Sequence, residues 1–300
     1  MTGRALLLAI TLLFGGQASA LAAAPADTAY VHTVERWRAE REARLKADGG
    51  WLTVAGLFWL KDGSNRFGTD RTNDVVLPEG SAQPRGGIFE LADGKVRIKV
   101  FPDETVTLAE QSVTDRVLQD DSEGAPDVLH LGRLTMQVIK RQERFGVRLK
   151  DRDSAFRRDF TGLRWYPIDP RFRISARFLP YDPPKMISIA NMIGQVSEEP
   201  CPGRVEFELD GQTVTLEPTG DPSEGLSFIL SDGTTAETTY GGGRFLDTDP
   251  PKDGVVILDF NEAYNPPCAF TPYATCPLPP EQNRMKVRIT AGELNYGEHH

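Results

Sequence analysis

The sequence is poor in the residue on which many catalytic centres depend. Its 300 residues include four histidines, at His32, His130, His299 and His300. A Ser-His-Asp or Cys-His centre needs a positioned histidine base, and only His130 falls in a predicted strand, with no motif beside it. A Gly-x-Ser-x-Gly elbow, a phosphate-binding Gly-Lys-Ser/Thr loop and a dinucleotide-binding glycine motif are all missing. We therefore predict no metal site and no cofactor.

Positive charge is also in short supply. Lys and Arg number 34 against 43 Asp and Glu, which gives a formal net charge of −9. A protein that binds nucleic acid normally presents a basic face to the phosphates. The basic run over residues 140–158 is interrupted by acids such as Glu143 and Asp151, whose charges cancel its long-range field. Nucleic acid is therefore not an expected partner.

Long hydrophobic runs are missing beyond the N-terminus. Arg4 precedes an apolar run over residues 5–14, and small residues follow at 18–20. This layout is typical of a secretory signal peptide, which we assign to residues 1–22 with cleavage after Ala20 or Ala22. The run is shorter than the ~20 residues that span a bilayer, so no integral membrane segment is expected after cleavage. A buried N-terminal helix is the alternative. We expect a periplasmic or secreted protein.

Export changes the interpretation of the three cysteines. Cys268 and Cys276 enclose seven residues, and prolines flank both. Proline restricts the backbone, so a tight loop is expected to bring the two sulfur atoms together in an oxidising compartment. We predict a Cys268–Cys276 disulfide and an unpaired Cys201, although the sequence leaves a bond from Cys201 to either partner open.

Hydrophobic periodicity predicts one helix followed by many strands. Tyr30, Val34, Trp37, Arg41 and Leu45 recur at helical spacing, which indicates an amphipathic helix from about residue 30 to residue 46. Alternating segments then follow at 96–100, 134–138, 145–149, 172–178, 205–209, 214–216 and 287–289. The fold class predicted is mainly β, with antiparallel sandwich or barrel units packed together and one N-terminal amphipathic helix.

The chain is predicted to contain two β units. An N-terminal segment with the helix occupies residues 23–49, the first β unit residues 50–160, and the second β unit residues 161–300, including the Cys268–Cys276 loop. The boundary is placed where Gly162 and a proline-containing stretch interrupt the strands, without a flexible linker.

A first candidate site lies at the end of a predicted strand. Arg148 and Arg152, with Lys150 between them, would share one strand face, and their planar guanidinium groups suit carboxylate or phosphate ligands. Surface salt bridges to Asp151 and Asp153 are the alternative interpretation.

A second candidate site follows the apolar strand at 255–258. Asp259 and Asn261 project to one face, and a proline-rich loop with Tyr264 and Tyr273 comes next. Polar residues at the end of a buried strand, beside a rigid aromatic loop, favour ligand binding, with Asp259 as the candidate acid or base. Alternatively, Asp259 and Asn261 cap turns and the loop is a brace.

The segment from Asp259 to Pro280, with Asn283 and residues 291–293 after it, resembles the C-terminal signature of domain-of-unknown-function family 1684. Residues 50–52, 56–60, 148–153 and 239–246 are similar to that family as well, so the resemblance covers nearly all of the mature chain. It implies a bacterial or archaeal protein of a family that is often exported. It assigns no activity, ligand or catalytic residue.

The sequence favours a binding role over catalysis. We predict an exported β-rich protein that binds a small molecule, a glycan or a component of the cell envelope, with Arg148, Arg152, Asp259, Asn261, Tyr264 and Tyr273 as contacts. The alternative is a periplasmic hydrolase or lyase with Asp259 as acid/base and an arginine that holds an anionic substrate. A structural role in an envelope complex is a third hypothesis.

Overall fold

The computed structural model describes residues 28–297. The predicted signal peptide lies outside these residues. Among the described residues, no helix combines the length and the apolar character needed to cross a bilayer.

The N-terminal helix α1 spans Thr28–Lys46, close to its predicted bounds. Val34 and Leu45 are fully buried, and Arg41 is nearly so. The end of the helix packs in a small hydrophobic cluster with Leu52 and Phe270. The predicted stripe is therefore the face that holds the helix against the rest of the protein.

Two sheets form the N-terminal part of the chain. A six-stranded antiparallel sheet has the order β1-β11-β10-β9-β6-β7, and a five-stranded sheet has the order β3-β2-β4-β5-β8, with β2 and β3 parallel. Their side chains share one hydrophobic cluster within residues 67–149. The strands are β1 (Val54–Trp59), β2 (Gly63–Gly68), β3 (Val75–Val76), β4 (Gly87–Ala92), β5 (Lys95–Val100), β6 (Thr107–Leu108), β7 (Gln111–Ser112), β8 (Asp115–Leu118), β9 (Val128–Leu131), β10 (Leu134–Arg141) and β11 (Arg144–Asp151).

Strand β11 lies between β1 and β10, so both of its edges are hydrogen-bonded within the sheet. Phe145, Val147 and Leu149 alternate into the hydrophobic cluster, as their spacing predicts. Arg148 points to the opposite face and is only 6% exposed. Alternation alone would place Arg148 on a solvated face. It is buried because other residues, among them Trp51, pack over that face.

A second group of sheets follows the short helix α2 (Ala155–Arg158). A four-stranded antiparallel sheet has the order β14-β13-β12-β17, and β15 pairs with β16. Their side chains form a second cluster within residues 172–291. The strands are β12 (Arg173–Ala190), β13 (Val196–Leu209), β14 (Gln212–Leu216), β15 (Leu226–Leu230), β16 (Arg244–Thr248) and β17 (Val255–Asp259). The predicted boundary falls between the two clusters, and the division into units stays a prediction.

The predicted strand at 287–289 is wrong. Val287 and Ile289 are buried, as their alternation suggests, but no strand forms there. The amide of Ile289 donates to the Asp232 carboxylate at 3.2 Å, and the carbonyl of Val287 accepts from Gly233 at 2.8 Å. A carboxylate and a loop amide, rather than a neighbouring strand, satisfy these backbone groups, so the segment does not become a strand.

Candidate ligand-binding site

A cleft of about 1020 Å³ opens between helix α1 and the end of the second sheet group. Tyr30, Thr33 and Trp37 line it from one face of the helix, because residues three and four apart in a helix are neighbours. The opposite side is built from the start of β12, the segment after β16, strand β17 and the turn that follows it. Their polar side chains in the lining are Arg173, Asp247, Thr248, Asp249, Lys252, Asp259 and Glu262.

Asp259 ends β17 inside this cleft and is held by several donors. The Tyr30 hydroxyl lies 2.9 and 2.8 Å from its two carboxylate oxygens. The backbone amide and the side-chain Nδ2 of Asn261 each lie 3.1 Å from Oδ1. The Arg173 Nε lies 3.6 Å from Oδ2. Such a carboxylate is fixed in position and already has most of its hydrogen-bonding capacity in use.

Tyr30 is the donor that fixes this carboxylate from the helix. Burial, then the charge of Asp259 and its hydrogen bond, raise the pKa of the Tyr30 phenol well above its ordinary value of 10. The hydroxyl therefore stays protonated at every physiological pH. It also accepts a hydrogen bond from Asn261 Nδ2 at 2.9 Å.

Glu262 is the carboxyl group with the chemistry most suited to a site. It ends the one-turn 3₁₀ helix Phe260–Glu262 and is half-buried. Its side chain makes no hydrogen bond or ion pair with residues 28–297. Burial, followed by the charges of Asp259 and Asp249, raises its pKa from 4.5 to about 7. At neutral pH it is thus both a proton donor and a proton acceptor, as an acid/base group must be. A cleft residue with a strongly perturbed pKa is also a functional candidate on general grounds.

The cleft carries an excess of acidic groups. Four carboxyl side chains line it, from Asp247, Asp249, Asp259 and Glu262, against the two cations Arg173 and Lys252. Because the balance is negative, the cleft is better suited to hydroxyl or cationic ligand groups than to anionic ones. Among residues 28–297, no three His, Cys, Asp or Glu side chains converge to hold a metal ion.

A second cavity, of about 650 Å³, shares Trp37 and Asp247 with the cleft. Arg41, Arg44, Trp51 and Tyr264 also line it, together with Phe245 and Pro267. The Tyr264 hydroxyl donates to Asp247 Oδ2 at 2.7 Å. Tyr264 of the second cavity is thereby bonded to Asp247, which lines both the second cavity and the cleft. Burial, then the Asp247 charge, raise the pKa of Tyr264, which keeps this hydroxyl protonated.

A buried ion pair fixes the helix that forms one side of both cavities. Arg41 Nη2 donates to the Asn265 carbonyl at 2.9 Å, and its Nε lies 3.5 Å from Glu293. Glu293 is fully buried, and burial raises its pKa to about 7 despite the Arg41 charge. Removing one member of such a pair is costly, because the other is left as an uncompensated buried charge. Helix α1 is therefore anchored to the C-terminal segment.

The structure separates the six predicted contact residues. Asp259 lines the cleft, whereas Asn261 behind it is fully buried and bonds to the backbone of Asp169. The alternative in which these two residues cap a turn also has support, because the Asp259 carboxylate accepts from the Asn261 amide at the start of the 3₁₀ turn. Tyr264 lies in the second cavity. Tyr273 packs edge-on against Phe156.

The two arginines of the first candidate site, Arg148 and Arg152, also lie in different environments. Strand β11 ends at Asp151, so Arg152 leaves the strand face, is exposed, and donates to the Gly132 carbonyl at 3.2 Å. Asp151 pairs with Arg133 at 2.9 Å, in line with the salt-bridge alternative. Arg148 instead packs over the Trp51 ring at 5.1 Å.

The cysteine loop is placed as expected, but without a bond. Cys268 and Cys276 face each other across it, and both are free cysteines, as is Cys201. The predicted disulfide is not present in the structure, and pairing of these residues stays a prediction.

Several residues that build the cleft escaped the sequence analysis. Tyr30 and Trp37 were noted only as residues of a packing stripe. Glu262 follows Asp259 by three residues, and in a 3₁₀ turn residues three apart project to the same side. That spacing within the Asp259-Phe260-Asn261-Glu262 string was the available signal.

Comparisons with known proteins identify a family without a described activity. The family model "Protein of unknown function (DUF1684)" matches residues 158–294. The similar segment at 239–246 lies within this match, whereas those at 50–52, 56–60 and 148–153 lie outside it. No curated protein matches the chain. Among solved structures, the chain is similar to an uncharacterized protein of Haloarcula marismortui studied by solution NMR. The two are 33% identical, with 48% of this chain and 81% of the other covered, and a TM-score of 0.40. By the match over residues 158–294, the chain belongs to the family of proteins of unknown function DUF1684.

Proposed function

We propose that the protein binds a small neutral polyhydroxylated ligand, of the carbohydrate class, in the cleft beneath helix α1. The observation that carries the proposal is the combination of the Trp37 indole with the unpaired, half-buried carboxyl of Glu262 in one open cleft. An aromatic ring offers a flat apolar surface, while carboxylates accept hydrogen bonds from hydroxyl groups. Concave sites with a few polar groups that fix orientation are typical of small-molecule binding.

The charge distribution narrows the ligand class. The negative balance of the cleft opposes phosphate and carboxylate ligands, so an anionic ligand would have to compete with Asp249, Asp259 and Glu262. Neutral hydroxyl groups are not repelled by these carboxylates. They can donate hydrogen bonds to the carboxylates and accept them from Arg173 and Lys252. A cationic amine is the competing ligand class and is an outcome of the test below.

Binding is tested by thermal unfolding and isothermal titration calorimetry with a panel of neutral oligosaccharides, acidic oligosaccharides and polyamines. We expect neutral oligosaccharides to raise the unfolding temperature of the wild-type chain. The Glu262→Gln and Trp37→Ala variants should lose that increase while remaining folded. Glu79→Gln, at an exposed carboxyl in the loop after β3, is the matched control and should bind as the wild type does.

The results also sort the competing hypotheses. Stabilisation by polyamines alone would replace the carbohydrate assignment by a cationic ligand. Failure of the whole panel with the wild-type chain, or equal binding by all three variants, would remove the cleft as the binding site.

A second candidate function is hydrolysis or a lyase reaction in the same cleft. It is favoured by one observation, the proximity of Glu262, with its pKa of about 7, to the firmly hydrogen-bonded Asp259. Pairs of carboxyl groups in different environments serve as acid and nucleophile or base in glycoside hydrolysis. On this hypothesis Glu262 takes the proton-transfer role that the sequence suggested for Asp259. Product release from the same panel, lost in Glu262→Gln, would establish it, and intact ligands would exclude it for that panel.

We further propose that the protein is exported, on the strength of the signal-peptide pattern in residues 1–22. Expression in a bacterial host with an outer membrane, followed by fractionation and N-terminal sequencing, tests it. The expected N-terminus is Leu21 or Ala23. An uncleaved chain in the cytoplasmic fraction would contradict export.

A further inference from the structure

Cys268 and Cys276 form a reciprocal arrangement that nothing in the proposed function uses. The backbone amide of Cys268 lies 3.2 Å from the Cys276 sulfur, and the amide of Cys276 lies 3.3 Å from the Cys268 sulfur. Each sulfur is thus held at the other residue's backbone, which places the two thiols side by side. Amide donors of this kind favour the thiolate over the thiol.

Arg148 supplies a cation beside this pair, and none of the described acids forms an ion pair with it. Its side chain is 6% exposed, and its Nε is buried without a hydrogen-bond acceptor. Within residues 28–297, its guanidinium makes no ion pair. Its guanidinium carbon instead lies 5.1 Å from the centre of the Trp51 ring, in a cation–π contact. The nearby acid Asp121 is already paired with Arg141 at 2.9 Å. A buried charge without compensation is costly, so a negative charge on a neighbouring thiol would be favourable.

The two thiols differ in exposure and in proton affinity. Cys268 is partly exposed, whereas Cys276 is 6% exposed. A hydrogen bond from the Cys276 thiol, followed by backbone amides and the Arg148 charge, lowers the pKa of Cys268 in spite of burial. The same thiol–thiol hydrogen bond and burial raise the pKa of Cys276. Of the two sulfurs, Cys268 is therefore the one that ionises more readily and is also reachable from solvent.

We propose that Cys268 and Cys276 form a redox-active dithiol that undergoes thiol–disulfide exchange, with Cys268 as the attacking sulfur and Cys276 as the resolving one. In the first step the Cys268 thiolate bonds to one sulfur of an external disulfide, whose S–S bond breaks and releases one thiolate. Cys276 then gives its proton to a released thiolate and attacks the Cys268 sulfur, which expels the second. The external disulfide gains two electrons and leaves as one thiol and one thiolate, which takes up from solvent the proton that Cys268 lost on ionising, and the Cys268–Cys276 disulfide forms.

The surroundings of the pair indicate the class of disulfide substrate. Pro267, next to Cys268 in the chain, lines the second cavity together with Arg41 and Arg44. The same lining contains one acid, Asp247, and Glu293, the ion-pair partner of Arg41, lies outside the lining with its pKa raised to about 7 by burial. An anionic small disulfide, of the glutathione disulfide class, fits this charge better than a cationic one.

Exchange is tested on the reduced full-length protein with glutathione disulfide at pH 7, followed by acid quenching, alkylation and peptide mapping. The wild-type chain should form a Cys268–Cys276 bond that excess reduced glutathione reverses. Cys276→Ser should stop at a glutathione adduct on Cys268, and Cys268→Ser should leave Cys276 reduced. Cys201, fully buried and donating to the Gly203 carbonyl, is the internal control and should stay unreacted.

The charge of Arg148 is tested by the alkylation rate of Cys268 at pH 7. For each unit by which the thiol pKa rises, the thiolate fraction falls about tenfold while its intrinsic nucleophilicity rises about threefold. Arg148→Met should therefore slow alkylation about threefold per unit. Arg148→Lys keeps a charge and should recover part of the rate.

The proposal can also be tested without substitutions, so a variant that fails to fold would not leave it untested. In the wild-type chain alone, the pH profile of Cys268 alkylation should have its midpoint below the ordinary thiol value of about 8.5. A midpoint at or above that value would overturn the proposal. So would reaction of Cys276 before Cys268, or a Cys268 that reacts with glutathione disulfide no faster than Cys201.

Discussion

Replacing Glu262 by glutamine should make the protein more stable above neutral pH and leave it unchanged in acid. The folded-state pKa of Glu262 is about 7, against an ordinary value of 4.5. As the pH rises from 4.5, the unfolded chain gives up the Glu262 proton first, while the folded chain keeps it. Folding of the wild type is therefore progressively disfavoured between pH 4.5 and 7, and the amide variant avoids this loss.

The size of the effect follows from the same pKa difference. A difference of about 2.5 pH units corresponds to about 3.4 kcal/mol at 1.36 kcal/mol per unit. Glu262 lines an open cleft and is only half-buried, so solvent screens part of this energy. We expect a stabilisation of about 1–2 kcal/mol by Glu262→Gln at pH 8, and none at pH 4.5.

Urea unfolding of both proteins at pH 4.5, 6, 7 and 8 measures the difference in the free energy of unfolding. The control Glu79→Gln alters an exposed carboxyl and should show no pH-dependent difference. A Glu262→Gln difference that is constant over this range would show that the Glu262 pKa is not raised by folding. A less stable variant at pH 8 would show that the ionised carboxylate has a favourable partner.

Three other substitutions test the contacts around the cleft and in the core. Tyr30→Phe removes the hydroxyl that binds Asp259 and should lower the free energy of unfolding by about 1–2 kcal/mol in urea; an unchanged value would mean that water replaces this contact fully. Asp259→Asn removes a neighbouring negative charge and should lower the midpoint of the Glu262 titration, followed by carboxyl-carbon NMR. An unmoved midpoint would contradict the contribution of the Asp259 charge and leave burial and Asp249 as the causes. Arg244→Met leaves Asp232 as a buried unpaired charge and should cost about 3–5 kcal/mol in urea unfolding, and a cost below about 1 kcal/mol would contradict the importance of this pair.

Much of the fold was predictable because its elements have clear local patterns. Helix α1, from its stripe between Tyr30 and Leu45, and the strands at 134–138 and 145–149 all follow from periodicity, and the structure confirms them as α1, β10 and β11. The segment at 287–289 has the same alternation but forms no strand. Alternation indicates which side chains are buried, whereas a strand also needs hydrogen bonds to a neighbouring strand. The amide of Ile289 donates to the Asp232 carboxylate instead of to such a strand.

The site was predictable only where its residues are close in the chain. Asp259 was identified from its position at the end of an apolar strand, and it does line the cleft. Its hydroxyl partner Tyr30 is 229 positions away in the sequence, on the helix. Long-range pairing of this kind leaves no trace in local periodicity. Glu262 was overlooked because its pKa depends on burial, which no single residue in the sequence reveals.

Arg148 shows how one covering segment changes the role of a residue. Its strand position suggested a surface anion site shared with Arg152. In the structure, Arg148 lies beneath Trp51 and beside the cysteine pair, while Arg152 is exposed past the end of the strand. The sequence contains all of these residues but does not indicate which loop covers the second face of β11.

The four tryptophans of the chain provide a direct readout of where a ligand binds. Trp37 lines both the cleft and the second cavity, and Trp165 packs edge-on against it at 5.8 Å. Trp51 lines the second cavity and not the cleft, so its indole distinguishes the two spaces. Indole N–H resonances followed by NMR during addition of a neutral oligosaccharide that stabilises the protein should shift for Trp37 and Trp165. A shift of the Trp51 indole, or no indole shift at saturation, would contradict binding in the cleft.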